Sequence, residues 1–244
     1  MRDPFTFMCI LEIQTAQPSK NRIVNKFCLQ MAVQWMTYCL VMLSFPVKYR
    51  ASTRQVECVF ANGADIQAVR SWTAPAYLRN KPRIRDALEF SQLAVNKWRY
   101  YKRKGCVASD MDEIHEYITD NPYNEVAICG VARAPWYKHG PILGVCFFRR
   151  TWCNNLIVDY LTTHPLTKMA GISGGCGSAL LYFIATVADG VGPKHFWGEA
   201  TQNSAKFYEC TLGLRHTTDL ILASAHNLTQ FKNQMKLKIE KAVA

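Results

Sequence analysis

The sequence contains no Cys-x-x-Cys pair, although ten of its 244 residues are cysteines. Its six histidines do not lie near the cysteines at the spacing of zinc ligands, so no metal site is predicted. A disulfide scaffold is also disfavoured, because a chain of this length with 49% apolar residues can bury a core without cross-links. We therefore expect a reduced, cytosolic globular protein.

Acidic residues are scarce: 18 Asp and Glu stand against 29 Lys and Arg, which gives a net charge of +11. This charge favours an anionic partner, such as nucleic acid, an anionic membrane surface or a phosphate-rich cofactor. The alternative is a basic surface that serves only solubility.

Long apolar runs are scarce as well. The longest stretch without a charged residue, 27–47, is diluted by polar side chains and has Pro46 near its end. A bilayer span needs about 20 predominantly apolar residues, so a membrane segment is disfavoured. A buried helix, or an extension upstream of the folded core, is the favoured interpretation.

The remaining sequence alternates between strand-like and helix-like patterns. Helical spacing of apolar residues runs from 83 to 104 and ends at Gly105, and Asp110 with Glu113 resembles a reciprocal cap for a helix at 111–119. Three apolar runs at 125–132, 142–149 and 155–162 predict an antiparallel meander. Further elements follow: a helix at 178–189, a strand at 195–201, a helix at 203–211, a strand at 217–224 and a basic helix at 227–241. This order predicts a mixed α/β sheet.

A glycine-rich turn at 171–177 follows a strand and opens a helix. Glycine allows close approach of a ligand, and the first amides of a helix have no internal partners, so the segment suits a phosphate. A plain flexible connection is the alternative. No Lys-Ser or Lys-Thr follows the glycines, as a Walker loop requires, and the spacing does not fit a dinucleotide fingerprint.

Residues 142–214 resemble the GNAT superfamily of N-acyltransferases. The resemblance includes the strand that ends at His164-Pro165, the Gly175-Cys176-Gly177 loop, and a helix with Asn203, Phe207-Tyr208 and a Leu212-Gly213-Leu214 ending. The matching segments, in order, are 142–149, 156–165, 175–181, 195–201 and 203–214. Two features depart from the family pattern: Ile172 stands where Arg or Gln is usual, and the connection from Pro165 to Gly175 is a few residues longer.

The resemblance implies a GNAT-like mixed, mostly antiparallel sheet flanked by helices and splayed between the family's fourth and fifth strands. It further implies N-acetyltransferase activity with acetyl-CoA or another acyl-CoA, whose pantetheine arm fills the splay. The residues that would bind the cofactor are Leu161, Thr163, Ser173, Gly174, Gly175, Cys176, Gly177, Ser178 and Asn203. Asn203 can instead be the cap of the helix that follows it.

Two side chains are the predicted catalytic pair. Tyr208 stands where many relatives place a general acid for the thiolate, although it can equally be a core aromatic. Glu199, near the end of the fifth strand, is the first candidate for the general base, directly or through a water. Asp159 and His164 are the alternatives, and Glu199 can also simply pair with a nearby cation.

A basic segment, residues 79–104, has nine Lys and Arg against only Asp86 and Glu89, with Trp98, Tyr100 and Tyr101 interleaved. Basic and aromatic side chains together suit RNA, so an RNA-linked acceptor such as a charged tRNA is one hypothesis. A charged helix face in water is the ordinary alternative.

The domain prediction has three parts: an N-terminal extension at 1–50, a GNAT-like acyltransferase domain at 51–226, and a basic C-terminal helix at 227–244. The expected acceptor is a primary amine of a small molecule, peptide or protein. The other hypotheses are a module that binds acyl-CoA without catalysis and a nucleic-acid-binding protein without acyl chemistry. A homodimer is compatible with the sequence.

Overall fold

The computed structural model describes residues 43–243, and the structural statements below concern that part of the chain. Within it, nine strands form one sheet in the order β7-β1-β2-β4-β5-β6-β8-β9, with β3 beside β4. The strands are β1 (Leu43–Tyr49), β2 (Ser52–Phe60), β3 (Val107–Ala108), β4 (Val126–Arg133), β5 (Ile142–Arg150), β6 (Leu156–Thr163), β7 (Ile172–Gly174), β8 (Phe196–Glu199) and β9 (Leu220–Ala223). Only β3–β4 and β6–β8 pair in parallel, so the predicted mixed, mostly antiparallel sheet is confirmed.

Seven helices flank the sheet in the described part of the chain. They are α1 (Gly63–Arg70), α2 (Ala76–Arg79), α3 (Pro82–Arg103), α4 (Met111–Asp120), α5 (Cys176–Val191), α6 (Ala205–Leu212) and α7 (Ala225–Val243). None of these helices combines the length and apolar character that a membrane span requires.

The sheet has a hydrophobic core on each face. Ile128 and Phe148 belong to the core around α5, whereas Cys129 and Phe147 belong to the core that includes α1 and α3. Both faces of β4 and β5 are therefore covered, and their residues are buried almost without interruption. This explains why the two strands are continuous apolar runs in the sequence rather than alternating ones.

The ends of α3 and α4 follow the predicted signals closely. Pro82 occupies the first turn of α3, and Gly105 beyond its last turn has a φ of +68°, a backbone conformation that glycine adopts readily. Asp110 accepts a hydrogen bond from the Glu113 amide at 2.8 Å, as predicted. The Glu113 carboxylate, however, accepts from the amide and hydroxyl of Ser109, so the reciprocal half of the predicted cap is displaced by one residue.

The predicted domain start at residue 51 falls inside the hairpin that joins β1 to β2. Phe45 and Val47 of β1 are buried in the core, so the sheet begins before that boundary. The uncharged stretch 27–47 thus contributes its last residues to β1, and the rest of it lies outside the described residues. At the other end, α7 buries Leu228, Phe231 and Met235 in the core around α5 and packs on the same domain.

Candidate active site

Strands β6 and β8 pair only over their first residues and then separate. The parallel ladder ends at Val158 and Gly198. Asp159 is an extra residue in β6, because Phe147 of β5 pairs with Tyr160 and Phe148 pairs with Val158. Such a bulge bends a strand and increases its twist, so β6 turns away from β8 beyond this point. The predicted splay is therefore present.

The separation leaves one edge of β6 without a strand partner. The His164 amide donates to the Leu143 carbonyl at 2.7 Å, so alternate residues of this segment direct their backbone groups toward β5. By alternation, the amides of Leu161 and Thr163 point to the opposite, open edge. Both residues line a cavity there.

The N-terminus of α5 lies beside this open edge. Gly175 is the N-cap residue, and no side chain caps the first amides of α5, those of Cys176, Gly177 and Ser178. Gly175 has a φ of +103°, and a Cβ there would stand 3.0 Å from the Pro46 carbonyl oxygen and from the Val47 Cα. The turn thus needs glycine, and it presents uncapped amides, which together with the helix dipole favour an anion.

A cavity of about 510 Å³ joins the splay to the start of α5. Ten of the eleven predicted site residues line it: Leu161, Thr163, Ser173, Gly174, Gly175, Cys176, Gly177, Ser178, Asn203 and Tyr208. The long connection before Gly175 supplies β7, which pairs with β1 at the edge of the sheet. Ile172, the departure from the family pattern, is buried in the core.

Tyr208 is buried on α6, and its hydroxyl has no hydrogen-bond partner among residues 43–243. Burial, with a smaller contribution from Cys146, raises the pKa of Tyr208 well above its usual range. The hydroxyl therefore keeps its proton at neutral pH and lines the cavity as an uncommitted donor.

Glu199, the remaining predicted residue, does not line this cavity. It is exposed at the end of β8, where it pairs with Leu220 of β9. Glu199 still pairs with β9 after the β6–β8 ladder has ended at Gly198. The sequence predicts its place at the strand end but does not reveal that it lies outside the cavity lining.

Asp159, the first alternative base, forms ion pairs with two cations. One carboxylate oxygen lies 2.6 Å from Lys97 Nζ, and the other lies 3.0 Å from Arg149 Nε. Only 11% of the Asp159 side chain is exposed, so its ion pairs with Lys97 and Arg149 are largely shielded from water. We interpret Asp159 as a structural ion-pair residue beneath α3.

His164, the second alternative, is a buried ring that lines the cavity. The Leu166 amide donates to its Nδ1 at 3.2 Å, and since an amide can only donate, that nitrogen carries no proton. The Tyr137 hydroxyl donates to the same atom at 2.8 Å. Burial, with a smaller effect of His139, lowers the pKa of His164 to about 4. The ring is thus neutral at pH 7 with its proton on Nε2, which makes it a donor and a weak base.

Asn203 does not cap the helix that follows it, since α6 has Ser204 at its N-cap and no side-chain cap bond. Its amide Nδ2 instead donates to Asp86 Oδ2 of α3 at 2.8 Å. Asp86 lines the cavity together with two cations, Arg83 and Lys168. These three charged residues were not among the predicted site residues. Arg83 and Asp86 are on α3, far from the glycine turn in sequence, and only folding brings them to the cavity, whereas Lys168 lies three residues before the turn.

The basic segment 79–104 includes the last residue of α2 and the whole of α3. Lys97 is paired with Asp159, and the Tyr101 hydroxyl donates to Glu125 at 3.0 Å. Trp98 packs against the core beneath α3, so Tyr100 is the one of the three aromatic residues that is largely exposed. Two of the three aromatics therefore pack inward, and the RNA hypothesis stays a prediction.

Comparison with known proteins finds similar solved structures but no similar sequence family. No protein-family model and no curated protein matches the sequence. Among solved structures, nourseothricin acetyltransferase is 20% identical, with a TM-score of 0.28, over 34% of this chain and 48% of its own. A GNAT-family acetyltransferase from Staphylococcus aureus Mu50 is 11% identical, with a TM-score of 0.40, over 70% of this chain and 99% of its own. A variant of the cAMP-binding acyltransferase from Mycobacterium smegmatis is 12% identical, with a TM-score of 0.37, over 90% of this chain and 62% of its own.

The chain thus spans about half the length of nourseothricin acetyltransferase. All three solved structures are of acetyl- or acyltransferases, and the one from Staphylococcus aureus is of the GNAT family. Because none of the three TM-scores reaches 0.5, the function proposed below rests on the geometry of the cavity.

Proposed function

We propose that the chain is an acyl-CoA-dependent N-acyltransferase that transfers an acyl group, with acetyl as the first candidate, to a primary amine. The observation that carries this proposal is one cavity with three features: an unpaired edge of β6, the uncapped start of α5 and an uncommitted tyrosine hydroxyl. An extended thioester cofactor with a diphosphate needs the first two features, and its leaving thiolate needs a proton donor such as the third.

The residues of the cavity fit such a cofactor. The amides of Cys176, Gly177 and Ser178 are free to donate to phosphate oxygens, and Arg83 and Lys168 supply compensating charge. The outward backbone groups of Leu161 and Thr163 can pair with the amides of an extended arm, as a neighbouring strand would. Cavities of this volume are typical of ligand sites.

When bound, acyl-CoA supplies the thioester whose carbon–sulfur bond breaks as the amide bond to the acceptor nitrogen forms. A backbone N–H on the open edge of β6 donates to the acyl oxygen as it becomes negative. Tyr208 donates its proton to the departing sulfur. A water takes the proton of the amine; neither Glu199, which lies outside the cavity lining, nor Asp159, both of whose oxygens are paired, is placed to take it.

The first test is thermal unfolding with and without acetyl-CoA, because a ligand that binds the native state raises the melting temperature. S-acetylpantetheine, which lacks the diphosphate, is the matched ligand control and should raise the melting temperature less. No shift at millimolar acetyl-CoA would count against the proposal. Release of free thiol in the presence of a panel of primary amines then separates a catalyst from a module that only binds acyl-CoA.

A further inference from the structure

One acidic side chain stands out among the described residues that line the cavity. Asp86 is the only carboxylate there, beside the cations Arg83 and Lys168 and a lining that is otherwise uncharged at neutral pH. The two cations complement the phosphates of an anionic cofactor. A carboxylate would repel the same phosphates, so an acyl-CoA gives no reason for Asp86 to be in this cavity.

The carboxylate of Asp86 is held by a hydrogen bond to one of its two oxygens, and the other oxygen is free to bind a partner. Asn203 Nδ2 donates to its Oδ2 at 2.8 Å, which connects α3 to the loop before α6. Its second oxygen has no hydrogen bond or ion pair among residues 43–243, and Arg83 on the same helix does not form an ion pair with it. The residue is half-buried, so a partner at this oxygen would be shielded in part from water.

We propose that Asp86 is the subsite for a cationic acceptor, a primary alkylamine that arrives as an ammonium ion. This inference rests on the proposed acyltransferase function and names the class of acceptor. An alkylammonium with a pKa near that of lysine is charged at neutral pH and offers three donors to the free carboxylate oxygen. The carboxylate holds the ammonium in the cavity that the open edge of β6 also lines. Because an ion pair favours the charged form, the amine leaves Asp86 as its proton passes to solvent water, and the neutral amine then attacks the thioester.

Two matched variants test this subsite. Asp86→Asn removes the charge but keeps an oxygen that can accept from Asn203. Glu89→Gln removes the same charge three residues along α3, at an exposed position outside the cavity lining. For both variants and the parent chain, the KM for 1,4-diaminobutane and for acetyl-CoA is measured by thiol release, and the melting temperature is measured with acetyl-CoA.

We expect Asp86→Asn to raise the KM for the diamine about tenfold or more, because a hydrogen bond to a charged group is lost. Its KM for acetyl-CoA and its thermal shift with acetyl-CoA should stay within about twofold of the parent, and Glu89→Gln should change neither KM. Binding of butan-1-amine to the CoA-saturated chain should exceed that of butan-1-ol in the parent and lose this preference in Asp86→Asn.

Three outcomes would overturn the inference. The first is an unchanged diamine KM in Asp86→Asn, and the second is an equal effect of Glu89→Gln. The third is a parent chain that binds acetyl-CoA but neither binds nor acylates any cationic amine. Failure of the parent chain to bind acetyl-CoA is a separate result, which removes the proposed function itself.

Discussion

Replacement of Tyr208 by phenylalanine separates a catalytic hydroxyl from a core aromatic. The ring is buried and packs edge-to-face with Phe207 at a centroid distance of 5.0 Å, and the variant keeps this packing. The hydroxyl has no hydrogen-bond partner among residues 43–243, so its removal should change the free energy of unfolding by less than about 1 kcal/mol. A purely structural tyrosine would therefore leave no functional trace in this variant.

If Tyr208 instead donates the proton to the departing thiolate, its replacement should lower kcat strongly. General acid catalysis contributes roughly 100- to 10,000-fold, so kcat for thiol release should fall by about 100-fold or more in Tyr208→Phe. Binding of acetyl-CoA, measured by thermal shift, should persist. Because the pKa of Tyr208 is raised, the hydroxyl is protonated throughout the neutral range, and the loss should be the same at every pH there.

Tyr182→Phe is the matched control for this experiment. Tyr182 is another buried tyrosine of the same core, on α5, and it does not line the cavity. Its replacement should leave kcat within about twofold. The reasoning is refuted if Tyr208→Phe keeps kcat within about twofold of the parent, or if both variants lower it equally.

Three further predictions concern the glycine turn, His164 and the basic segment. Gly175→Ala forces a strained φ and crowds β1, so it should lower the free energy of unfolding by about 1–3 kcal/mol in urea titrations and weaken acetyl-CoA binding. Gly174→Ala, with open space at its Cβ, should destabilise far less, and similar losses in the two variants would contradict the strain argument. The folded-state pKa of His164, about 4, is below its ordinary 6.5, so the unfolded chain takes up this proton first as pH falls. This contribution to the free energy of unfolding, about 3 kcal/mol at neutral pH, is lost as pH falls from about 6.5 to about 4. The free energy of unfolding of His164→Gln should therefore depend less steeply on pH over this range. An unchanged slope would exclude His164 as the source. If residues 79–104 bind RNA, tRNA should be retarded in gel shifts at low salt and released as salt rises, and absence of a complex at low salt would end that hypothesis.

Much of the secondary structure follows from local sequence patterns. The meander β4–β5–β6 was predicted within about two residues, because each strand is a buried apolar run bounded by turn residues. The helix that became α3 was given by apolar spacing between Pro82 and Gly105. The glycine turn was identified from its glycines between a strand and a helix, and the φ of +103° at Gly175 and the approach of β1 explain why glycine stands there. Ten of the eleven site residues that the resemblance to the GNAT superfamily implied line one cavity.

Two strands that the sequence did not reveal depend on partners distant in the chain. Strand β7 has only three residues and exists because β1 pairs with it. Strand β1 lies at the end of an uncharged stretch whose pattern is equally compatible with a buried helix. Both strands were missed because edge pairing is a property of the assembled sheet.

The sequence by itself indicated the strand and helix segments of the mixed sheet, the glycine turn that opens α5 and the place of Tyr208 on α6, because each of these is a pattern within a short segment. Tertiary structure alone decided which carboxylates are available. It gave Asp159 two cations, left Glu199 outside the cavity lining, and brought Asp86 of α3 to Asn203 across 117 residues of chain. Charge and burial depend on neighbours from other elements, and those neighbours are fixed only when the sheet and helices have packed together.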